Sequence, residues 1–168
     1  MLTKEFPSLV RSVSCTTRAP RPGEEEGRDY FFLSKREFQE KVQQEAFLEH
    51  AEVFDELYGT TQEFVTSKLK LGKDVVLVID TQGALQIQKK DIPATYIFIT
   101  APSMKELKAR MEKRHTEDQQ HMQQRLIWAK HEIEMLSHYD YHIVNDKLEE
   151  AYNVLKSIFV AEKHKIRR

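Results

Sequence analysis

Residues 12–21 bring hydroxyl and guanidinium groups together in one short segment. Their sequence, SVSCTTRAPR, holds four hydroxyl side chains followed by Arg18 and Arg21, and Pro20 marks a turn. A guanidinium binds phosphate through two parallel hydrogen bonds, and hydroxyls add further donors. The segment therefore predicts a phosphate-binding turn, with a solvated polar loop as the alternative. Residues 24–27 (EEEG), which follow, are predicted to form a solvated loop.

Two tyrosines and one carboxylate further along could complete such a site. The hydroxyls of Tyr30 and Tyr58 can donate to phosphate, although a tyrosine taken singly is more often a half-buried strand residue. Glu49 is flanked by apolar residues, and a carboxylate there needs a partner. Guanine offers one through its N1–H and 2-amino donors, and the alternative is the exposed face of an alternating strand. Thr60 lies three residues before Glu63, the spacing of a helix capping box.

Acidic and basic groups in the second half could serve a nucleotide polyphosphate. Asp80 follows the apolar run 75–79, and α/β sheets bind ligands at the carboxyl ends of their parallel strands. Such an acid can hold magnesium directly or through water, or it can cap the next helix. Arg110 and Arg114 lie four residues apart on one side of a predicted helix, and Arg125 lies on the next helix. These arginines could converge on phosphates or be ordinary solvated charges.

Composition and charge exclude several other classes of function. The chain has 26 Lys plus Arg and 27 Asp plus Glu, a formal net charge of -1, whereas proteins that coat nucleic acid are strongly basic. No apolar run approaches the roughly 20 residues of a membrane span. The histidines show no zinc-binding spacing, and Cys15 is the one cysteine, so no intrachain disulfide can form. We therefore predict a cytoplasmic protein without a histidine-held metal that binds neither nucleic acid nor membrane.

The elements that must position these groups follow an α/β pattern. Residues 75–79 (VVLVI) and 96–100 (YIFIT) are unbroken apolar runs, typical of parallel strands that are covered on both faces. A helix over 82–90 connects them, so we expect both strands in one parallel sheet with a right-handed crossover. The later half of the chain is predicted to be mainly helical, with one more short strand over 141–144.

A region of different character precedes these strands. Short strands are predicted over residues 30–33 and 46–54. Between them a helix over 34–44 begins with a capping box made by Ser34 and Glu37. Short strands inside a chain that otherwise alternates strand and helix predict an inserted α+β lobe.

The order and spacing of these segments resemble those of guanylate kinases over nearly the whole chain. The motifs that carry the resemblance are SVS at 12–14, TTR at 16–18, PRPGE at 20–24, GRDY at 27–30, FLE at 47–49, YGT at 58–60, IDxQG at 79–83 and IVND at 143–146. The resemblance implies an α/β, P-loop-kinase-like parallel sheet with helices on both faces, an inserted α+β lobe that binds the nucleoside monophosphate, and a helical lid. It divides one domain, residues 1–168, into a core (1–14, 74–106 and 127–168), a GMP-binding lobe (15–73) and a lid (about 107–126).

The reaction implied by the resemblance is the ATP-dependent phosphorylation of GMP to GDP, with Mg2+ accompanying ATP. GMP and ATP are the predicted partners, and no oligomeric state is predicted. For GMP, the resemblance implies that the phosphate is bound by Arg18, Arg21, Tyr30 and Tyr58, and guanine by Ser14, Glu49 and Thr60. For catalysis, it implies Arg110, Arg114, Arg125 and Asp80. For ATP binding, it implies Arg110, Arg114 and Asn145.

Three departures from the family pattern bear on activity. The 168 residues contain no G-x-x-x-x-G-K-[ST] loop, and residues 1–7 resemble the end of the helix that follows such a loop. Because the loop holds the β- and γ-phosphates of ATP, we expect this chain to bind GMP but to turn over poorly. Val78 stands where the family has an acid, and Lys113-Arg114-His115 stands where it has a Gly-Arg-Gly lid pattern.

The alternative to a kinase is a non-catalytic binding module. Guanylate-kinase-like domains of scaffold proteins have lost catalysis and bind phosphopeptides at the former GMP site. By this alternative the chain would bind GMP or a phosphopeptide without transferring phosphate. The lid arginines and Asn145 favour the kinase.

Overall fold

The computed structural model describes residues 1–114 and 119–166, except the side chains of residues 114 and 119–121. The chain forms two compact units, Met1–Ile92 and Pro93–Arg168, and both contain strands and helices. Within the described residues, every helix is too short or too polar to cross a membrane.

A four-stranded sheet forms the centre of the first unit. Its strands are β2 (Ser14–Thr16), β3 (Tyr30–Phe32), β4 (Phe47–Val53) and β5 (Glu56–Thr61), in the order β3-β2-β5-β4. β4 and β5 are antiparallel, β5 and β2 are antiparallel, and β2 and β3 are parallel. The strands predicted over 30–33 and 46–54 are therefore confirmed, each slightly shorter than expected.

One face of this sheet packs on helix α2 (Lys35–Gln43). Cys15 of β2, Phe38 of α2 and Phe47 of β4 form an apolar cluster, and the rings of Phe38 and Phe47 stack with centres 4.5 Å apart. Successive strand residues point to opposite faces, so the neighbours of Cys15 along β2 point away from this cluster. The polar candidates for the functional site lie on that second face.

Each of the two helices that follow strands of this sheet has a hydroxyl residue as its N-cap. Ser34 accepts from the backbone N–H of Glu37 while the Glu37 carboxylate accepts from Ser34, so the predicted capping box is confirmed. Helix α3 (Gln62–Lys70) begins directly after β5, and its N-cap is Thr61. The interpretation of Thr60 as the cap of this helix is therefore wrong by one residue, which leaves the Thr60 side chain on the sheet.

A parallel strand pair and two further helices complete the first unit. The pair consists of β1 (Leu9–Arg11) and β6 (Asp74–Val76). Helix α1 (Leu2–Glu5) precedes β1, and helix α4 (Thr81–Gln88) follows β6, where a helix was predicted. β6 ends at Val76, before the predicted end of that strand at residue 79.

The second unit combines one parallel strand pair with three longer helices. β7 (Ile97–Thr100) pairs with β8 (Tyr141–Val144), and these strands match the runs predicted there. The helices are α5 (Met104–Arg114), α6 (Gln119–Glu134) and α7 (Leu148–Lys163), and a 3-10 turn over Met135–His138 links α6 to β8.

The prediction that the apolar runs 75–79 and 96–100 share one sheet is wrong for the described residues. β6 pairs with β1, and β7 pairs with β8, in two separate sheets. An unbroken apolar run indicates that both faces of a strand are covered, but it does not specify the neighbouring strand. The right-handed crossover expected inside one sheet therefore has no counterpart here.

Candidate functional site

The loop after β2 holds Arg18 in a largely buried position beside two tyrosines. Its side chain is 14% exposed, and Nη2 donates to both carboxylate oxygens of Glu24 at 2.9 Å. The guanidinium carbon lies 5.6 Å from the centre of the Tyr30 ring, and Tyr58 is a further hydrogen-bond partner. Desolvation alone would lower the pKa of Arg18, but the hydrogen bonds with Glu24 and Tyr58 outweigh it and raise the pKa above its ordinary value. Arg18 is therefore a fixed cation.

One donor of this guanidinium has no partner. Arg18 Nε is buried and makes no hydrogen bond to any described residue, whereas Nη1 donates to the carbonyl of Ala19 at 2.6 Å. An unpaired buried donor costs about 1–3 kcal/mol, and the oxygen of an anionic ligand would remove that cost. Arg21 is exposed in the same loop, and its backbone N–H donates to Glu24 at 2.8 Å. The loop is thus built to present arginine to an anion.

Tyr30 and Tyr58 flank the strand that leads into this loop. Their ring centres lie 6.1 Å apart with the planes at 67°, and both side chains are half-buried. Strand register explains the pairing, because Tyr30 lies opposite Ser14 and Tyr58 lies opposite Thr16 on the two sides of β2. The structure therefore brings together Arg18 and both tyrosines of the predicted phosphate group.

A buried carboxylate lies on the same sheet. Glu49 of β4 is 4% exposed, and it pairs across the ladder with the fully buried Thr60 of β5. Thr60 hydrogen-bonds the carboxylate through its side chain and its backbone, and Ser14 Oγ lies 3.3 Å from Thr60 Oγ1. The exposed-strand interpretation of Glu49 is therefore wrong, and the three residues predicted to read guanine lie side by side.

Glu49 is short of hydrogen-bond donors. Burial raises the pKa of Glu49, the hydrogen bonds from Thr60 lower it, the nearby Asp80 carboxylate raises it again, and the net shift is upward. An ionised carboxylate has about four acceptor sites, so a ligand that brings two adjacent donors would favour the charged form. A buried acid with a raised pKa is typical of functional sites.

Asp80 caps helix α4 and also lies close to Glu49. Its Oδ1 accepts from the N–H of Gly83 at 2.9 Å, and its Oδ2 accepts from Gln82 Nε2 at 3.0 Å. The helix-cap interpretation is thus realised, although each oxygen keeps a second lone pair. No group of three or more His, Cys, Asp or Glu in the described part of the chain can hold a metal ion. Asp80 offers carboxylate lone pairs of the kind that Mg2+ prefers, and its part in holding that ion stays a prediction.

Strand register joins the two polar regions into one row. Tyr30, Ser14, Thr60 and Glu49 occupy neighbouring positions on β3, β2, β5 and β4. Adjacent strands lie about 4.8 Å apart, so the row spans about 14 Å. One end offers cationic and phenolic donors, and the other offers a carboxylate with hydroxyls. Such a row suits an elongated ligand with an anionic group at one end and paired donors at the other.

In the second unit, the protein's own backbone holds Arg110. Its Nε donates to Glu106 at 2.8 Å, Nη1 donates to the carbonyl of Asn145 at 2.6 Å, and Nη2 donates to that of Asp146 at 3.2 Å. The N–H of Asn145 donates in turn to the carbonyl of Thr100 at 2.7 Å. Arg110 and Asn145 are therefore brought together, and Arg110 fixes the turn that follows β8.

Other predicted residues of the second unit are only partly described. Arg114 ends α5, its side chain lies outside the described residues, and so does the whole of His115. Arg125 is half-buried on α6. The roles of these residues, the division into core, lobe and lid, and the cytoplasmic location stay predictions. Val78, where an acid was expected by resemblance, is 74% exposed.

These features define an α/β protein with a candidate site for a phosphorylated ligand. A profile of guanylate kinases matches residues 1–162. The guanylate kinase of Protochlamydia amoebophila is 49% identical over 166 residues, which are 99% of this chain and 84% of that protein. The guanylate kinase of Desulfitobacterium hafniense is 44% identical over 167 residues, with 99% and 84% covered. The crystal structure of guanylate kinase from Anaplasma phagocytophilum matches with a TM-score of 0.82 at 37% identity, covering 97% of this chain and 80% of that chain.

The chain therefore belongs to the guanylate kinase family. The predicted family and the predicted α/β fold class are confirmed.

One residue of the site was missed at the level of sequence. Glu24 was assigned to a solvated loop, but it is largely buried and binds both Arg18 and the backbone of Arg21. The hydrogen bond from that backbone and the Arg18 guanidinium outweigh desolvation and lower the pKa of Glu24. The sequence signal that could have identified Glu24 is its position in the same loop as two arginines, three residues after Arg21 and six after Arg18.

Proposed function

We propose that this protein phosphorylates GMP to GDP with ATP as the phosphate donor once a G-x-x-x-x-G-K-[ST] loop holds the ATP phosphates. The observation that carries the proposal is the buried Glu49 carboxylate, which shares a row with Thr60, Ser14 and the Tyr30 ring beneath Arg18. The row has the length and polarity of a nucleoside monophosphate. The guanylate kinases at 49% and 44% identity support the same assignment.

Glu49 would distinguish guanine from adenine by the direction of hydrogen bonding. Guanine presents N1–H and its 2-amino group side by side, and one carboxylate accepts from both. Adenine presents an unprotonated N1 at the same place, so two acceptors would face each other and the buried carboxylate would stay unpaired. Thr60 would hold the carboxylate, and Ser14, which lies beside Thr60, would add a further hydroxyl near the base. We therefore expect GMP to bind more tightly than AMP.

The other end of the row would bind the phosphate of GMP. Arg18 Nε supplies a buried donor without a protein partner, while Glu24 holds Nη2 and so fixes the guanidinium plane. Tyr30 and Tyr58 would add their hydroxyls, and the exposed Arg21 would reach the phosphate from the loop. Charge-assisted hydrogen bonds of this kind are among the strongest that a protein makes.

Phosphate transfer would proceed by in-line displacement. A phosphate oxygen of GMP attacks the γ-phosphorus of ATP, the new P–O bond forms as the bond to the β–γ bridging oxygen breaks, and ADP leaves. Mg2+ bound with ATP would neutralise charge on the transferred group. By family resemblance we assign Arg110, Arg114, Arg125 and Asn145 to the ATP side. The 168 residues contain no G-x-x-x-x-G-K-[ST] loop to cradle the ATP phosphates.

A non-catalytic domain that binds GMP or a phosphopeptide is the second candidate. It is favoured by Arg110, whose three nitrogens all donate to oxygens of the protein itself. An arginine held in this way would have to exchange backbone carbonyls for phosphate oxygens before it could serve catalysis. The row of polar side chains that includes Glu49 would then serve ligand binding without catalysis.

A coupled assay of ADP release, beside titration calorimetry with GMP, separates the two candidates. It is run with GMP, AMP or no acceptor on the 168-residue chain and on a chain extended ahead of Met1 by a strand and a G-x-x-x-x-G-K-[ST] loop. We expect the extended chain to release ADP with GMP and much less with AMP, and the 168-residue chain to bind GMP with little turnover. GMP binding without ADP release by the extended chain would favour the binding domain, and failure of both chains to bind GMP would reject the proposed function.

A further inference from the structure

Helix α4 contacts the outer edge of β4 through a side chain that imitates a neighbouring strand. Gln86 Oε1 accepts from the backbone N–H of His50 at 3.1 Å, and Gln86 Nε2 donates to the carbonyl of the same residue at 2.6 Å. The carboxamide thus satisfies both backbone groups of one strand residue, as a paired strand would. β4 is the last strand of its sheet, so no other strand performs this task in the described residues.

Two further side chains extend the same contact along the strand. Gln82 Nε2 donates to the carbonyl of Glu52 at 3.2 Å, and Lys90, just beyond α4, donates to the carbonyl of Leu48 at 2.6 Å. These donors are spaced four residues apart, and their acceptors are spaced two residues apart. Four helical residues rise about 6 Å and two strand residues rise about 6.6 Å, so the two periods match. We call this set of hydrogen bonds the α4 ladder.

The α4 ladder fixes the backbone on both sides of Glu49. Leu48 and His50 are held by α4, while Glu49 itself pairs with Thr60 on the inner side of β4. Its carboxylate then reaches the first turn of α4, where Gly83 is buried. A Cβ atom at Gly83 would lie 2.5 Å from Oε2 of Glu49, closer than real Cβ atoms approach, and 3.1 Å from its Cδ, which is a tight contact. Only glycine leaves room for the carboxylate in this position.

We propose that α4 positions the reader of guanine: Gln86 fixes the backbone that carries Glu49, and Gly83 leaves the space in which its carboxylate lies. This inference rests on the proposed function, because it takes Glu49 as the residue that recognises guanine. Gln86 and Gly83 are positioning residues that act through Glu49. The physical reason is that a carboxylate that accepts two parallel hydrogen bonds must be held within about 0.5 Å of the productive place.

Two variants test the proposal by different routes. Gln86→Met keeps the length of the side chain and removes both hydrogen bonds to His50, whereas Gly83→Ala adds one methyl group where the carboxylate lies. Gln43→Met, at an exposed position at the end of α2, is the matched control. Titration calorimetry with GMP and with AMP gives the ratio of their dissociation constants. We expect each test variant to bind GMP about five- to twentyfold more weakly, with AMP binding and the control unchanged.

The ratio separates positioning from structural damage. A merely structural role would weaken GMP and AMP alike, and unchanged GMP preference in Gln86→Met and Gly83→Ala would overturn the inference. Adding Gln86→Met to Glu49→Gln should cost no further GMP affinity, because both changes act on one contact, and additive losses would also overturn it. If the parent chain fails to prefer GMP, or keeps the preference in Glu49→Gln, the proposed function fails instead. Thermal unfolding of each variant confirms that the protein tested is folded.

Discussion

The two units hold their charged side chains in opposite ways. In the first, Arg18 is 14% exposed with Nε unpaired, and Glu49 is 4% exposed with a raised pKa. In the second, Arg110 is 32% exposed, and each of its nitrogens donates to an oxygen of the protein. A buried charge with spare hydrogen-bonding capacity is costly and is expected where a ligand completes it. A charge whose hydrogen bonds are all made by the protein needs no ligand to complete it.

Buried charges with unsatisfied hydrogen-bonding groups are the residues that we assign to a ligand. The unpaired Nε of Arg18 and the buried carboxylate of Glu49 lower the stability of the free protein, so a ligand that satisfies them should stabilise the first unit. Arg110 already contributes to the stability of the second unit without any ligand. Substitutions at the three residues should therefore separate binding from stability.

The largest effect is expected at Arg18. Arg18→Ala removes the buried donor and leaves Glu24 as an uncompensated anion next to the incoming phosphate. Charge-assisted hydrogen bonds contribute about 1.5–3 kcal/mol each, so GMP affinity should fall about a hundredfold. Titration calorimetry measures the change, with Arg28→Ala in the neighbouring exposed segment as the control. Parent-like GMP binding by Arg18→Ala would remove Arg18 from the site.

The next largest effect is expected at Glu49, where binding and stability should change in opposite directions. Glu49→Gln replaces one of the two acceptors and removes the charge, so GMP affinity should fall about tenfold or more. The free protein should become more stable, because burial of an ionised carboxylate is unfavourable. Calorimetry and urea unfolding measure the two quantities. A loss of stability together with a loss of binding would mean that Glu49 is a structural residue.

A smaller effect, on stability and not on GMP affinity, is expected at Arg110. Arg110→Met keeps the aliphatic stem and removes the hydrogen bonds to Glu106 and to the carbonyls of Asn145 and Asp146. Unfolding free energy should fall by about 1–2 kcal/mol, with GMP affinity unchanged. Lys108→Met on the same helix is the control for chemical denaturation. Unchanged stability of Arg110→Met would abolish the contrast between the two units.

The smallest effect is the pH dependence of the stability that Glu49→Gln gains over the parent protein. The folded-state pKa of Glu49 lies above its ordinary value of 4.5. The protonated form is therefore favoured by folding, and its stabilising contribution is complete below pH 4.5 and lost as the pH rises through the folded-state pKa. Glu49→Gln should exceed the parent in stability at pH 7, and the gain should shrink towards pH 4. Urea unfolding at both pH values checks this, with Glu40→Gln on α2 as the matched control, and a gain that grows on acidification would contradict it.

Local chemistry made much of the first unit predictable. The capping box of Ser34 and Glu37 depends on residues three apart, and the strands around Glu49 show in the pattern of apolar residues. The apolar neighbours of Glu49 correctly marked an acid that needs a partner. Motif order then identified the family and fold class, because several short motifs agreed in sequence and spacing.

Long-range pairing was not predictable from the same signals. The runs 75–79 and 96–100 show burial but not their neighbours, so their assignment to one sheet was wrong. Likewise, Glu24 looked like one more charge in a solvated run until the fold placed it against Arg18. Gln86 has no local signature, because its partner lies on a distant strand.

A crystal structure of the 168-residue chain with GMP tests the central claim most directly. We expect a phosphate oxygen about 2.7–3.2 Å from Arg18 Nε, the donor that the free protein leaves unpaired. We also expect guanine N1 and the 2-amino nitrogen within hydrogen-bond distance of the two Glu49 oxygens. GMP bound elsewhere, or bound with its base turned away from Glu49, would contradict the account.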